Sequence, residues 1–427
     1  MGRGCEWGQR KRGRNLIPTG SWRSMRRFSG DFTMRKSGGN GGMVSRASLR
    51  VAVITSLLWG RKGLDERLRT FMHTLKMAGV EEGVVISGFG VFTERDLGAL
   101  SRKIQGKKPG SLTLALLHLP LTEVGSTVRL AQRFQGVDVI LFYLGAPAIL
   151  PIVLGRLFRK KSVFVVTGME VREIRVKQRN VLLRASLSQA SVIYRSVCFH
   201  LVHRLGVESP SMIESHGLTK YRNKVRVFGT RYVDAAAFRP ERPFHERENV
   251  VGYVGRLSQE KGVLNFVEAI PRVLASDGRI KFLIVGDGLL KNRIEERIRQ
   301  QSVGDKVTLT GWVPHEKVPE WLNRLRLIIL PSYTEGLPPL VQEAMACGTP
   351  VLATPVGGIP DLIKDGETGF LLEDNSPECI ARRVLEVLND PRLPEVSHRA
   401  SAFIREHYSR ECVTQQWREV LEELVKR

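Results

Sequence analysis

Leu327-Ile-Ile-Leu-Pro-Ser-Tyr-Thr-Glu335-Gly-Leu-Pro-Pro-Leu-Val-Gln-Glu343 is the stretch on which the fold turns. Its first four residues are all apolar, as in a strand buried on both faces. A loop over 331–336 follows, and a proline at 338 or 339 suits a first helical turn, where a missing N–H costs nothing. A helix over 338–346 is therefore predicted. Outward from this strand-loop-helix unit the alternation repeats. Strands over 250–254, 281–285 and 306–310 precede it, separated by helices over 263–275 and 289–300. A strand over 350–353 and helices over 360–363 and 376–388 follow it. Apolar strands alternating with helices predict a parallel sheet covered on both faces.

The first half carries the same pattern. Strands are predicted over 49–56, 84–87, 112–117, 137–144 and 162–166, with helices over 65–78 and 148–159. The expected organisation is a basic arm, or a start codon placed too early, over 1–48, then one doubly wound α/β domain over 49–240. A polar linker rich in proline opens the second such domain, 241–398. A helical amphipathic segment, 399–427, is expected to pack back toward the first domain.

The chain has 427 residues, with 66 Lys and Arg against 43 Asp and Glu, for a net charge of +23. That charge is unevenly placed. Residues 1–48 carry +9 and residues 49–249 carry +16, whereas 250–427 carry −2. Whatever the first domain approaches is expected to be anionic. No apolar core follows the basic start, so a secretory signal is not indicated. The charge-free run 139–155 is short for a span and holds Pro147 and Pro151, so a strand followed by a helix explains it better. Five scattered cysteines without a CxxC indicate neither a disulfide framework nor a thiolate zinc site. Aromatic residues make up only 7% and there is no zinc knuckle or RNP pair, so nucleic acid is not the expected partner.

Three loops at the carboxyl ends of the second domain's strands could carry chemistry. Glu335 lies in the loop and Glu343 in the second turn of the helix, where a ligand could meet both acids and the free N–H groups of the helix start. Two acids beside such an end suit a ligand rich in hydroxyls, such as a sugar or ribose. A helix-start carboxylate and a surface Glu are the plainer alternative. Arg256 and Lys261 follow the strand 250–254, where open α/β sheets bind ligands. A guanidinium fork and a compact ammonium could neutralise a diphosphate; two solvated cations are the alternative. Gly286 and Gly288 would let backbone approach a ligand, although Lys291 stands where the dinucleotide fingerprint needs its third glycine. The stretch 356–360 is most simply a turn before a helix.

In this order and spacing the three loops resemble the donor half of the retaining glycosyltransferases of family 4, which have the GT-B fold of two facing Rossmann-like, doubly wound parallel-sheet domains with a cleft between them. Gly255-Arg256-Leu257, Glu260-Lys261-Gly262, the Glu335 and Glu343 pair, the run 343–358 and the run 365–371 carry the likeness. The resemblance implies transfer of a sugar from a UDP-, GDP- or ADP-sugar with retention of configuration, and neither a cofactor nor a metal. Arg256 and Lys261 would hold the donor diphosphate, Glu343 the ribose, and Glu335 would lie near the donor sugar. Backbone at Gly336 and Leu337 would touch sugar or phosphate, backbone near Val313 the base, and the loop of Gly60 and Gly63 would close from the first domain. Many relatives carry a histidine where Thr167 stands here, and Glu170 could partly serve acceptor hydroxyls in its place. In this architecture the first domain takes the acceptor, and its net +16 leads us to expect a cytoplasmic enzyme held peripherally on anionic lipid at the inner membrane face, with a glycan or lipid-linked acceptor of the cell envelope. A sugar-nucleotide epimerase, or a binding protein without turnover, are the alternatives on the same fold.

Overall fold

The computed structural model describes residues 49–55, 64–87, 90–93, 112–144, 149–167 and 181–426. The basic arm 1–48, Gly60, Gly63 and Glu170 lie outside the described residues.

The first half holds β1 (Leu49–Thr55), α1 (Leu64–Met77), β2 (Val80–Ser87), β3 (Gly90–Phe92), α2 (Leu112–Ala131), β4 (Val139–Tyr143), α3 (Ile149–Leu157), β5 (Lys161–Val166), α4 (Val181–Leu201), β6 (Arg204–Val207), α5 (Ser211–Ser215) and β7 (Val225–Val227). They form a seven-stranded sheet in the order β3-β2-β1-β4-β5-β6-β7. All its pairs are parallel except the β2–β3 edge. The edge strand β3 was not among the expected strands; it follows β2 after two residues, too few for a parallel crossover. A correction concerns 112–117, which opens the helix α2 and is not a strand. Its apolar run continues through a 20-residue helix, and a short apolar run does not by itself distinguish the two states.

The second half holds β8 (Val250–Val254), α6 (Val263–Ser276), β9 (Lys281–Val285), α7 (Lys291–Gln300), β10 (Val307–Gly311), α8 (Val318–Arg324), β11 (Leu327–Leu330), α9 (Pro339–Ala346), β12 (Val351–Ala353), α10 (Ile359–Leu362), β13 (Phe370–Leu371), α11 (Pro377–Leu388), α12 (Leu393–His407) and α13 (Arg410–Val425). Its six strands run β10-β9-β8-β11-β12-β13, all parallel. After β8 the chain builds outward through β9 and β10, then returns to place β11 on the other side of β8. That reversal opens a crevice between the loops after β8 and β11, the place where open α/β sheets bind ligands. The architecture is GT-B, two Rossmann-like domains facing across a cleft.

The C-terminal helices divide between the domains. Ala400, Ile404 and Tyr408, in and just after α12, enter the second domain's core. Ser409 then accepts the Cys412 N–H at 3.3 Å and starts a new helix. Val413, Trp417 and Leu421 of α13 join Phe71 and Tyr143 in the first domain's core. Helices α1 and α13 cover one face of the first sheet; α2, α3 and α4 cover the other.

Candidate functional site

The loops after β8, β9 and β10 are laced by backbone. Gly255 N–H donates to Val285 O and Gly286 N–H to Gly311 O, each at 2.9 Å. Both glycines have positive φ, +144° and +146°. A Cβ on Gly286 would stand 1.9 Å from Gly255 O, and one on Gly288 2.4 Å from Leu257 O. The close approach these glycines permit is therefore between neighbouring loops of the chain itself. Gly262 repeats the device at φ +67°, where a Cβ would meet Pro331 O at 1.9 Å. Tyr333 N–H also donates to Glu260 O at 2.9 Å, so the loops after β8 and β11 form one unit.

Within that unit Lys261 meets Glu335. The Lys261 ammonium donates to both carboxylate oxygens, at 2.6 and 2.8 Å, and the Ser332 hydroxyl donates to Oε1 at 2.8 Å. Glu335 is only 8% exposed, so three charge-assisted bonds fix a carboxylate that would be costly to bury alone. Arg256 lies in the same loop as Lys261, its guanidinium 3.4 Å from Glu260 Oε1 and its side chain 55% exposed. The Tyr253 hydroxyl donates to Arg256 O at 2.8 Å, fixing the backbone there; burial first, then Glu335, raises the Tyr253 pKa, which keeps the phenol a donor.

Glu343 sits on α9 and is buried. Its Oε1 lies 3.0 Å from His315 Nε2 and 3.5 Å from the Arg231 guanidinium. Arg231 follows β7 of the first sheet, so the second acid is met across the cleft. Val313, half-buried, packs against the core beneath, two residues before His315. Neither Arg231, His315 nor Ser332 was expected from sequence, since no spacing ties them to the acids.

Gly336 and Leu337 are held from behind. Gly358 N–H donates to Gly336 O at 2.7 Å. Gly357 adopts φ +62°, and a Cβ on it would lie 2.2 Å from Glu335 O. The stretch 356–360 is thus more than a turn before a helix: it braces the loop of Glu335. From the first domain Ser209 reaches the same brace, 2.5 Å from where a Gly358 Cβ would be, and Asp361 accepts the Ser211 N–H at 2.7 Å.

At the facing carboxyl edge of the first sheet Thr167 follows β5, half-buried. Glu208 follows β6 and accepts from the Thr230 hydroxyl. Burial pushes the Glu208 carboxyl above its ordinary range, opposed by Thr230, Arg231, Arg67 and the Leu337 backbone N–H. Arg231 therefore pairs with the buried Glu343 of the second domain and acts electrostatically on the half-buried Glu208 of the first.

Residues 234–407, which contain both acids and both cations, match the family described as Glycosyl transferases group 1. The chain is 35% identical over 146 residues to an alpha-D-kanosaminyltransferase of Streptomyces kanamyceticus, covering 34% of this chain and 38% of that protein. The chain spans little more than a third of the length of the curated relatives it matches at 33–35% identity. A longer likeness, 25% over 310 residues, joins it to the N-acetyl-alpha-D-glucosaminyl L-malate synthase of Bacillus anthracis, covering 69% of this chain and 77% of that one. Among solved structures, Anabaena Alr3699/HepE in complex with UDP shares the fold with a TM-score of 0.66 at 15% identity, covering 88% of this chain and 100% of that one.

Proposed function

We propose that the chain is a glycosyltransferase that moves a sugar from a nucleoside-diphosphate sugar to a glycan or lipid-linked acceptor, with retention of anomeric configuration. The observation that carries this reading is the bidentate Lys261–Glu335 pair, its carboxylate buried, with the exposed fork of Arg256 on the same loop as Lys261 at the sheet's switch point. Arg256 and Lys261 would hold the diphosphate and stabilise the charge that grows on it as the glycosidic bond breaks. Glu343, aimed by His315 and Arg231, would accept from the ribose hydroxyls, and Glu335 would accept from the donor sugar. Backbone of Gly336 and Leu337 would face sugar or phosphate, with Val313 near the base. Thr167 would line the acceptor side. For retention, the leaving phosphate would take the acceptor's proton on the face it departs from. The relatives named as transferases of aminosugars or glucose, and the UDP in the Anabaena neighbour, support a UDP-sugar as the first donor to try.

The test is a thermal-shift comparison of UDP, GDP and ADP, followed by turnover with the matching sugar nucleotides. One diphosphate should raise the melting temperature by mass action. Lys261→Ala should reduce turnover about 100- to 1,000-fold, as loss of a charge-stabilising donor does, and the product anomer should match the donor. Unchanged turnover in both Lys261→Ala and Glu335→Ala would sink the assignment. An altered free sugar formed without an acceptor would reveal an epimerase.

A further inference from the structure

The outer face of the α2, α3 and α4 layer takes no part in this site. On α2, Leu121, Val124 and Val128 recur three and four residues apart and are 67%, 52% and 50% exposed. Leu150, Val153 and Leu157 repeat that spacing on α3, and Phe158 stands exposed just beyond it. Val192 and Ile193 are exposed on α4. Ten of the fourteen large apolar side chains exposed among the described residues belong to this one layer, which is far from the scattered distribution an ordinary surface shows. Glu123 knits the layer edge to edge: its Oε1 accepts the Leu150 N–H at 2.8 Å and the Tyr194 hydroxyl at 3.4 Å. The stripes thus lie side by side.

The charge around them is mainly positive, with Asp138, ion-paired to Arg50, the acid near Lys160. Arg133, Arg156 and Arg159 are exposed at its margin, and the Lys160 ammonium lies 5.6 Å over the Phe134 ring. Glu123 is the one acid in 121–133, 149–160 and 185–201, and it is engaged within the layer. Among the described residues no helix is long and apolar enough to cross a membrane. An aliphatic face rimmed by cations suits lying on a bilayer, with the apolar side chains at the acyl boundary and the guanidinium groups among the phosphates.

We infer that this three-helix face docks the chain onto an anionic lipid bilayer. The inference deepens the membrane location implied for the basic first domain and stands apart from sugar transfer. Helix α3 starts at the carboxyl edge of the first sheet, so docking there holds the cleft close to the lipid surface.

The test is sedimentation of the full chain with vesicles of phosphatidylcholine alone or with about 30% phosphatidylglycerol, whose negative surface potential attracts basic segments. Binding to the anionic vesicles should be at least about tenfold stronger than to neutral ones. A Leu121→Glu/Leu157→Glu variant, changed at the two most exposed positions of the face, should keep the parent melting temperature and lose about tenfold or more of that binding, since the apolar area that enters the bilayer goes. Arg156→Glu/Arg159→Glu should lose the preference for anionic vesicles. Absence of vesicle binding, or unchanged binding in the first variant, overturns the inference. So does a dimer in solution that the first variant dissociates, which would make the face a contact between two copies. Failure of every nucleotide to bind would count against the transfer reading and leave vesicle binding untouched.

Discussion

Lys261 and Glu335 are 74 positions apart and meet at 2.6 Å. Each was legible in the sequence because each sits in a loop right after an apolar strand, where position follows from the strand count. Ser332, His315 and Arg231 were not legible, because their roles exist only through the carboxylates they touch. Gly357 gives a test at this scale. Its φ of +62° and the 2.2 Å separation from Glu335 O leave no room for a side chain. Gly357→Ala should lower stability by about 1–3 kcal/mol, the cost of a strained backbone, and lower transfer more than the melting temperature alone explains, because the Glu335 loop must shift. Steady-state kinetics beside calorimetry would separate the two effects. His315→Ala and Arg231→Ala should each weaken nucleoside diphosphate binding about ten- to a hundredfold, the worth of one hydrogen bond to a charged group. Titration calorimetry reads this directly, and unchanged affinity in both would remove Glu343 from the binding surface.

Among the elements, β8 to β12 lie within a residue of where the apolar pattern put them, the inner ones because both faces are buried and composition alone marks them, whereas β13, two residues long, was not expected. The run 112–117 failed for the converse reason: a buried apolar segment says that it is buried, and not in which conformation. The linker also held more than its polar composition suggested. Arg247 is 5% exposed and donates to Cys347 O at 2.6 Å, to Thr349 Oγ1 at 2.8 Å and to Leu325 O at 3.1 Å. It satisfies the carboxyl end of α9, and burial pulls its pKa down to about 10. Arg247→Met should cost about 2–3 kcal/mol in a denaturant melt, the range for lost bonds to a charged group. Helix α13 is tied down similarly by Glu423, which accepts from Arg204 and Arg226 at 2.7 Å. The Arg226 bonds above all, working against desolvation, hold its carboxyl at about 2, below the ordinary 4.5. The pair's stabilisation is therefore fully present above the unfolded value and is lost as pH falls through about 2. Glu423→Gln should cost about 1 kcal/mol at neutral pH, modest because the pair is partly exposed. The gap from the parent should narrow as the pH is lowered from about 4.5 toward 2 in urea melts.

Over the whole molecule the chain passes twice between the domains, once after β7 and once between α12 and α13. Trp417 anchors the second passage: it is fully buried, donates to Gly229 O at 2.8 Å and packs edge-on against Phe71. Trp417→Ala should destabilise the first domain by about 3–5 kcal/mol, seen as a lower-temperature transition that leaves the second domain's melt in place. A single transition shifted as a whole would show instead that the two domains unfold together.

The sequence by itself determined two α/β domains, the parallel sheet of the second, and the loops that bear Arg256, Lys261, Glu335 and Glu343. Those features follow from local periodicity and from proline and glycine chemistry within a few residues. Only the tertiary structure decided what surrounds the acids, which helix covers which sheet, and that three separate amphipathic stretches share one exposed face. Each of these depends on the order of strands in a sheet, a long-range property that side-chain periodicity does not encode.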